Sequence, residues 1–542
     1  MASALVQKRD CKYWTRKIFK MAKIKKVKKD QIFELIKDKI SSGSSYQAIG
    51  IEKESLRYNP NEHEISYTNH PKSLGASLTN KFITTDFSEC QLEMITPPND
   101  HSSMALEFLD DLHRFVSKNI GKEIIWPISI PPNTADDIKI PIANYGKSNL
   151  AKFKESYRNG LSMRYGRSMQ LISGIHYNFS LSEGILQKIY ISDENHKNQS
   201  VSSDIYFRII RNMNRMNWLI LYLFGASPTL SKQLIGNKIK KFSTASKNTY
   251  FLPNATSLRM SEYGYRSKVQ SKIKIPLNSL DSYIDGLKVA TETPYSIYDF
   301  HKQGLEKNFQ LNSNLLQIED EFYGTARAKS NLNTNVRTIS KLLDSGVNFI
   351  ELRSIDLDPF SSIGISQTTC NFLDLYFLFC LYEDSSLINS DEEEIILFND
   401  LTVAKEGRKP GLMLKDKNGR ISLKDWGNII LDKMAKLFSS KIDNLSFANV
   451  TIEEMRARVN DPHQTLSGKF LNQILENKYE VEEFAEQISK KYNQHYLNSE
   501  IKNPKNSNMI HQEVSSSFEN KSDLEENDAL DFDDFLNGYF RL

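Results

Sequence analysis

The sequence predicts an α+β enzyme built around one large antiparallel sheet, and three observations carry that reading. Strand-like segments are short and lie far apart in the chain. Long stretches with helical spacing fall between and after them. Within each strand segment, apolar and ionisable residues alternate, which gives each strand one apolar and one charged face.

The elements follow in chain order. Residues 1–29 hold eleven Lys and Arg against Asp10, a basic arm of charge +10 that is expected to be disordered. It has no apolar run like that of a secretory signal, and Met21 offers an alternative start. Apolar residues at Ile32, Phe33, Leu35, Ile36 and Ile40 predict a helix over 30–42, with Asp30 as its N-cap. Strands are predicted over 48–58, 83–96, 169–181 and 347–354. Helices are predicted over 103–120, 205–224, 280–291, 369–382 and 426–441, with polar loops at 192–204 and 385–394. The end, from about residue 503, is rich in Asn, Ser, Asp and Glu, so it reads as a disordered acidic tail. The domain reading is therefore a basic extension over 1–29, a catalytic domain over 30–502 and a tail over 503–542.

Composition narrows the function. At 542 residues, with 39% hydrophobic and 25% charged, the chain can build a large core. The net charge of +3 is the difference between two ends. Residues 511–542 carry −7 and the first 29 carry +10, which leaves 30–510 neutral. A neutral body gives no support to nucleic-acid binding. The longest apolar runs, 218–226 and 375–382, fall well short of the roughly 20 residues that cross a bilayer. Cys11, Cys90, Cys370 and Cys380 form no CxxC pair, so a reduced, cytoplasmic setting without membrane attachment is expected.

The chemistry lies on the charged strand faces. Glu52 and Glu54 share a face, as do Glu89, Gln91 and Glu93. His176, Asn178 and Ser180 line up on a third strand, and Glu351 and Arg353 on a fourth. An ordinary solvated face would carry more Lys, Thr and Ser. Two carboxylates 4 Å apart repel by about 4 kcal/mol at an effective dielectric of 20, so a convergence of several requires a cation. Oxygen-rich ligation with one imidazole suits magnesium or manganese. Such a metal beside an arginine is equipment for handling ATP phosphates. Other phosphate and hydrolase motifs are missing: Gly146-Lys147-Ser148 lacks the upstream P-loop glycine, and there is no GxGxxG after a strand, no HExxH and no GxSxG.

Several longer words then resemble one family. They include IEKESLR (51–57), the stretch 74–97, WPISIP (126–131), YGKSN (145–149), FKESYRNGLSMRYG (153–166), MQLISGIHYNFSL (169–181), YLFGASP (222–228), LPNATSLRMSEYGY (252–265), QLNSNLLQIEDEFY (310–323), residues 350–364 and EGRKPGL (406–412). In this order they resemble the proteobacterial type of glutamate–cysteine ligase, over roughly residues 45–500. Ser361-Ser362 stands where the family has Ser-Pro, at a turn without a catalytic role.

The resemblance implies a glutamine synthetase-like catalytic domain, with the sheet curved into a funnel and surrounded by helices. It implies ATP-dependent joining of the γ-carboxyl of L-glutamate to the amine of L-cysteine through a γ-glutamyl phosphate. This would give γ-glutamylcysteine, ADP and phosphate, in the first step of glutathione synthesis. It implies magnesium (or manganese) held by Glu52, Glu54, Glu93, His176 and Glu351. Arg353, Glu52 and Glu351 would be the catalytic groups. Tyr157, Leu161, Ile172, Arg259, Tyr265 and Tyr323 would form the cysteine pocket, with Arg259 taking the cysteine carboxylate. Asp86, Glu89, Glu319, Asp320, Glu321 and Arg327 are further candidates, some of them structural ion pairs. Partners are expected to be small molecules only, and the protein a monomer. The rivals are a related ligase with a different amine acceptor and a non-enzymatic protein that uses its basic arm on RNA or an anionic membrane. Three tyrosines in a cysteine-type pocket argue against the first, and Glu52, Glu54, Glu93 and Glu351 on strand faces argue against the second.

Overall fold

A computed structural model describes residues 29–541 except 134–135, 192–197, 267–268, 301–308, 333–335 and 442–444. The basic arm lies outside the described residues, apart from Lys29. Among the described residues no helix is long and apolar enough to cross a membrane.

The architecture is α+β, as the alternation predicts. The main sheet runs β10-β11-β6-β1-β4-β3, and every pairing in it is antiparallel. Its strands are β1 (Gln47–Asn59), β3 (Ile83–Thr85), β4 (Gln91–Ile95), β6 (Ile175–Leu181), β10 (Ala326–Lys329) and β11 (Phe349–Ile355). Two short strands, β2 (Glu64–Ile65) and β5 (Ile124–Ile125), extend the far end of β1. A small sheet of β7 (Thr229–Leu230), β8 (Ser243–Thr244) and β9 (Tyr250–Phe251) and a hairpin of β12 (Met413–Asp416) and β13 (Gly419–Ser422) stand apart from it. The strand predicted over 83–96 is a hairpin, because residues 86–90 turn between β3 and β4. The strand predicted from residue 169 begins only at Ile175, after a helical turn over Arg167–Gln170.

The back of the sheet supplies the core. Ile49 and Ile51 on β1, Leu92 and Met94 on β4, Tyr177 and Phe179 on β6, and Ile350 and Leu352 on β11 are all buried there. Each contributes about 1.5–3 kcal/mol of burial. Helices Ser102–Asn119, Asn198–Phe224 and Gln367–Tyr382 cover this face. Phe377 stacks on Phe179 with ring centroids 4.5 Å apart. Lys53 obeys the same alternation, so its ammonium is buried behind the sheet, 2.9 Å from His113 Nε2.

Asp374 is a buried acid in this layer. It accepts hydrogen bonds from Tyr177 at 2.7 Å and Ser102 at 3.0 Å. Burial outweighs these bonds and pushes its carboxyl up to about 6. A carboxyl raised on folding is best tolerated below its unfolded pKa, and stability falls as pH rises from about 4 to about 6. Asp374→Asn keeps an acceptor for Tyr177 and removes a penalty of roughly 3 kcal/mol above that window. Urea midpoints of the two proteins are therefore expected to move in favour of the variant between pH 4 and pH 8. The same midpoint difference at both pH values would refute this.

The acidic tail differs from its expectation of disorder. It forms helices Pro504–Glu526 and Phe532–Phe540, which pack on the body. Ser517 accepts from Ala76 N at 2.9 Å, and Glu513 accepts from Lys81 N at 3.0 Å. The Tyr539 ring lies 4.5 Å from Phe153, with Phe535 beside it at 6.2 Å. The scattered Phe and Tyr of an acidic segment supply the apolar contacts that order it.

Candidate active site

Strand register brings the charged faces together. Glu54 lies opposite Glu93 across β1 and β4, and Glu52 opposite His176 across β1 and β6. On the next strands Asn178 lies opposite Glu351, and Glu351 opposite Arg327. Directly paired residues point to the same face of a sheet, so one diagonal band carries all of these groups.

His176 sits at the centre of the band. Its Nδ1 is 3.0 Å from Glu52 Oε2 and 3.4 Å from Glu351 Oε1, and its Nε2 is 3.4 Å from Glu54 Oε1. Asn178 donates to Glu52 at 2.9 Å. Arg353 donates to Glu351, and Lys329 Nζ stands 3.5 Å from the same carboxylate.

Charge is unevenly compensated along the band. Burial and the charges of Glu52, Asp86 and Glu54 push the Glu93 carboxyl well above its usual range. Glu54 is raised too, mainly by burial. Burial also opposes ionisation of Glu351, but Lys329, Arg353 and Arg327 outweigh it and hold this carboxyl well below its usual value. At Glu52, burial is outweighed by the hydrogen bond and charge of His176. One end of the band is thus rich in uncompensated carboxylate and the other carries three cations.

The opposite wall is the helix Asn149–Tyr165. Ser148 caps its start by accepting from Ala151 N, and Gly166, at φ +83°, ends it in a conformation that favours glycine. The phosphate-loop fragment Gly146-Lys147-Ser148 is therefore the lead-in to a helix cap. Asp528 from the tail accepts from the Asn149 backbone and side chain, which places a negative charge at the helix N-terminus. This helix supplies Tyr157, Arg158 and Leu161 to a cavity of about 260 Å³ that it shares with the carboxylate band. Tyr265 and Tyr323 stack 5.0 Å apart in the same cavity, and the Tyr323 hydroxyl pairs with Gln170 at 3.0 Å.

The cavity holds Glu52, Glu54, Glu93, His176, Glu351, Arg353, Tyr157, Leu161, Tyr265 and Tyr323, all expected from the sequence. Ile172 and Arg259 do not line it. Ile172 is fully buried, and its carbonyl accepts from the Tyr265 hydroxyl. Arg259 is buried behind Arg353, donating to its carbonyl at 2.9 Å and standing 3.6 Å from Asp356. Asp356 behind the sheet end pairs with this guanidinium, which also lies over the ring of the cavity residue Tyr265, 5.1 Å from its centroid.

Glu89 also leaves the band. It precedes β4, and its carboxylate accepts from the backbone of His70 at 2.6 Å and Asn144 at 2.8 Å. Glu319 and Glu321 pair with Arg337 and Arg164. Asp86, Asp320 and Arg327 do reach the cavity. The sequence reading omits Arg158, Gln170 and Lys329. Lys329 was within reach, two residues beyond Arg327 on β10; Arg158 and Gln170 carry no periodic signal.

A sheet face that gathers carboxylates, an imidazole and guanidinium groups, closed by a tyrosine-rich wall, defines an enzyme for small anionic substrates. The glutamate–cysteine ligase family model matches residues 34–403. A glutamate–cysteine ligase of Pseudomonas putida is 39% identical over 499 residues, covering 90% of this chain and 94% of the relative. One of Shewanella oneidensis is 37% identical over 91% of this chain and 94% of its own. The crystal structure of the Francisella tularensis glutamate–cysteine ligase in complex with AMP superposes with a TM-score of 0.84 at 33% identity, covering 92% of this chain and 98% of that one. The chain belongs to the glutamate–cysteine ligase family. Its activity is the joining of glutamate to cysteine, the first step of glutathione synthesis.

Proposed function

We propose that the ligation runs in the cavity between the carboxylate band and the helix Asn149–Tyr165, through a γ-glutamyl phosphate made at the expense of ATP. The observation that carries this is the cluster of Glu52, His176 and Glu351, whose ligand atoms lie within 4.8 Å of one another in the cavity that also holds Arg353 and the tyrosine wall. Buried His176 Nε2, Glu351 Oε2 and Asn178 Oδ1 make no hydrogen bond, although Glu54 Oε1 and Lys329 Nζ stand 3.4 and 3.5 Å from the first two, so a cation can take up these donor atoms. These atoms, with Glu54 and Glu93, fit magnesium or manganese. Magnesium there would neutralise the phosphates and the substrate carboxylate so that the two anions can approach.

The chain's own groups supply the rest. Arg353 presents a planar guanidinium to the phosphoryl group in flight, steadied by Glu351, while Arg259 donates to its backbone carbonyl from behind. Lys329 and Arg327 add positive charge at the β10 edge. Tyr157, Leu161, Tyr265 and Tyr323 enclose the small side chain of cysteine, and Ile172 fixes Tyr265 from behind. Curvature of the sheet into a funnel would direct ATP and the amino acids to opposite ends of the band. The partners in this reading are the small molecules glutamate, cysteine and ATP, and the catalytic unit is the monomer. The free thiols of Cys90, Cys370 and Cys380 support a reducing, cytoplasmic setting.

The test is phosphate release from ATP with glutamate present. Strong dependence on cysteine, not met by alanine or ammonia, is expected. Equal release with all three amines would overturn the acceptor assignment.

The boundaries of the catalytic unit follow the same logic. Residues 30–502 carry the cavity, and the tail helices brace its wall. Deletion of residues 529–542 removes the Leu530 contact to Asn149 and the Tyr539 contact to Phe153. The KM for cysteine is expected to rise by about threefold to tenfold, a loss of roughly 1 kcal/mol of positioning. The KM for ATP should stay unchanged, and a parallel rise in both would make the tail a general stabiliser instead.

A further inference from the structure

A second cavity, of about 160 Å³, shares Tyr323 with the catalytic one but none of its charged groups. Ile273, Ile275 and Leu397 give it apolar walls. Asp400, Glu393 and Glu394 stand in it against Arg266 and Lys274, three carboxylates against two cations. Asp400 is only 2% exposed. Its Oδ2 accepts from Asn217 at 2.8 Å and lies 3.6 Å from Arg266, while its buried Oδ1 has no hydrogen-bond partner. A buried carboxylate oxygen without a donor is costly, and a ligand that supplies one gains that free energy on binding.

We infer that this cavity binds a small amphipathic cation, with one ammonium or amidinium group donating to Asp400 Oδ1 and an apolar body lying along Ile273, Ile275 and Leu397. The size suits a single ring or a short aliphatic chain. The excess of carboxylate selects for one positive charge, and the apolar walls select against strongly hydrated ions. Burial pushes the Asp400 carboxyl up to about 6, so it is mostly ionised at neutral pH and ready to pair. The ligand would sit one side chain away from the catalytic cavity, with Tyr323 between them.

Benzamidine, a ring with one amidinium, is a direct probe. Calorimetric titration of the full-length protein is expected to show binding of benzamidine. Binding should be at least about tenfold weaker for the neutral isostere benzamide, for Asp400→Asn and for Leu397→Trp, which fills the cavity without touching the carboxylate. Leu397→Trp keeps the test valid if Asp400→Asn does not fold. Glu52→Gln, altered only in the catalytic cavity, should bind benzamidine like the wild type. Absence of binding up to about 10 mM, equal affinity for benzamide, or undiminished binding in Leu397→Trp would overturn the inference. Loss of binding in Glu52→Gln would place the probe in the catalytic cavity and overturn it equally.

Discussion

Glu52→Gln is expected to cut γ-glutamylcysteine formation by at least about 10³-fold while the protein stays folded. The substitution keeps the shape of the side chain and removes one charge. Glu52 faces His176 directly across β1 and β6, accepts from Asn178, and offers an atom to the cluster with Glu351. A glutamine in its place still reaches Asn178 with its carbonyl, so the strand pairing survives. It is a far weaker ligand for a hard cation, and the band loses one of the charges that hold that cation. Circular dichroism and a urea midpoint like those of the wild type, with turnover lost, are the expected pair of results. Near-normal turnover at saturating magnesium would refute the assignment of Glu52 to the metal.

Arg353→Lys is expected to lower kcat by about 10²–10³-fold, although the charge is conserved. The guanidinium donates to Glu351 while its Nη1 also lies 3.4 Å from His176 Nδ1. Burial alone would make this cation easier to deprotonate, but Glu351 and Glu54 hold it firmly charged. A planar fork can stay anchored on Glu351 and still present donors to a phosphoryl group, whereas an ammonium is a single point that the nearby carboxylate captures. The loss should fall mainly on kcat, since the interaction matters most when charge develops in transfer. Steady-state kinetics with a kcat within about threefold of the wild type would remove Arg353 from the phosphoryl-transfer role.

Both predictions rest on residues that the sequence itself marks. Glu52 and Glu54, His176 and Asn178, and Glu351 and Arg353 are each two apart, and two apart on a strand means one face whatever the rest of the fold does. The same rule failed at Glu89, because residues 86–90 turn and the period of two holds only within a strand. It also failed to show Arg158 and Gln170, which reach the cavity from a helix and a helical turn. The sequence also could not show that Arg259 pairs with Asp356, nearly 100 residues away, and donates to the Arg353 carbonyl. The tail shows the limit of composition: an acidic, Ser-rich segment reads as disordered, but a few aromatics at helical spacing find Phe153 and order it.

By itself the sequence determined the family, the α+β class and which residues share each strand face, because these depend on local period and on words read in order. Only the tertiary structure decided that the four faces form one band and which cations meet which carboxylates. It also showed that the acidic tail folds into helices and packs on the helix Asn149–Tyr165. Those facts depend on strand register and on contacts between residues far apart in the chain, and a one-dimensional pattern carries neither.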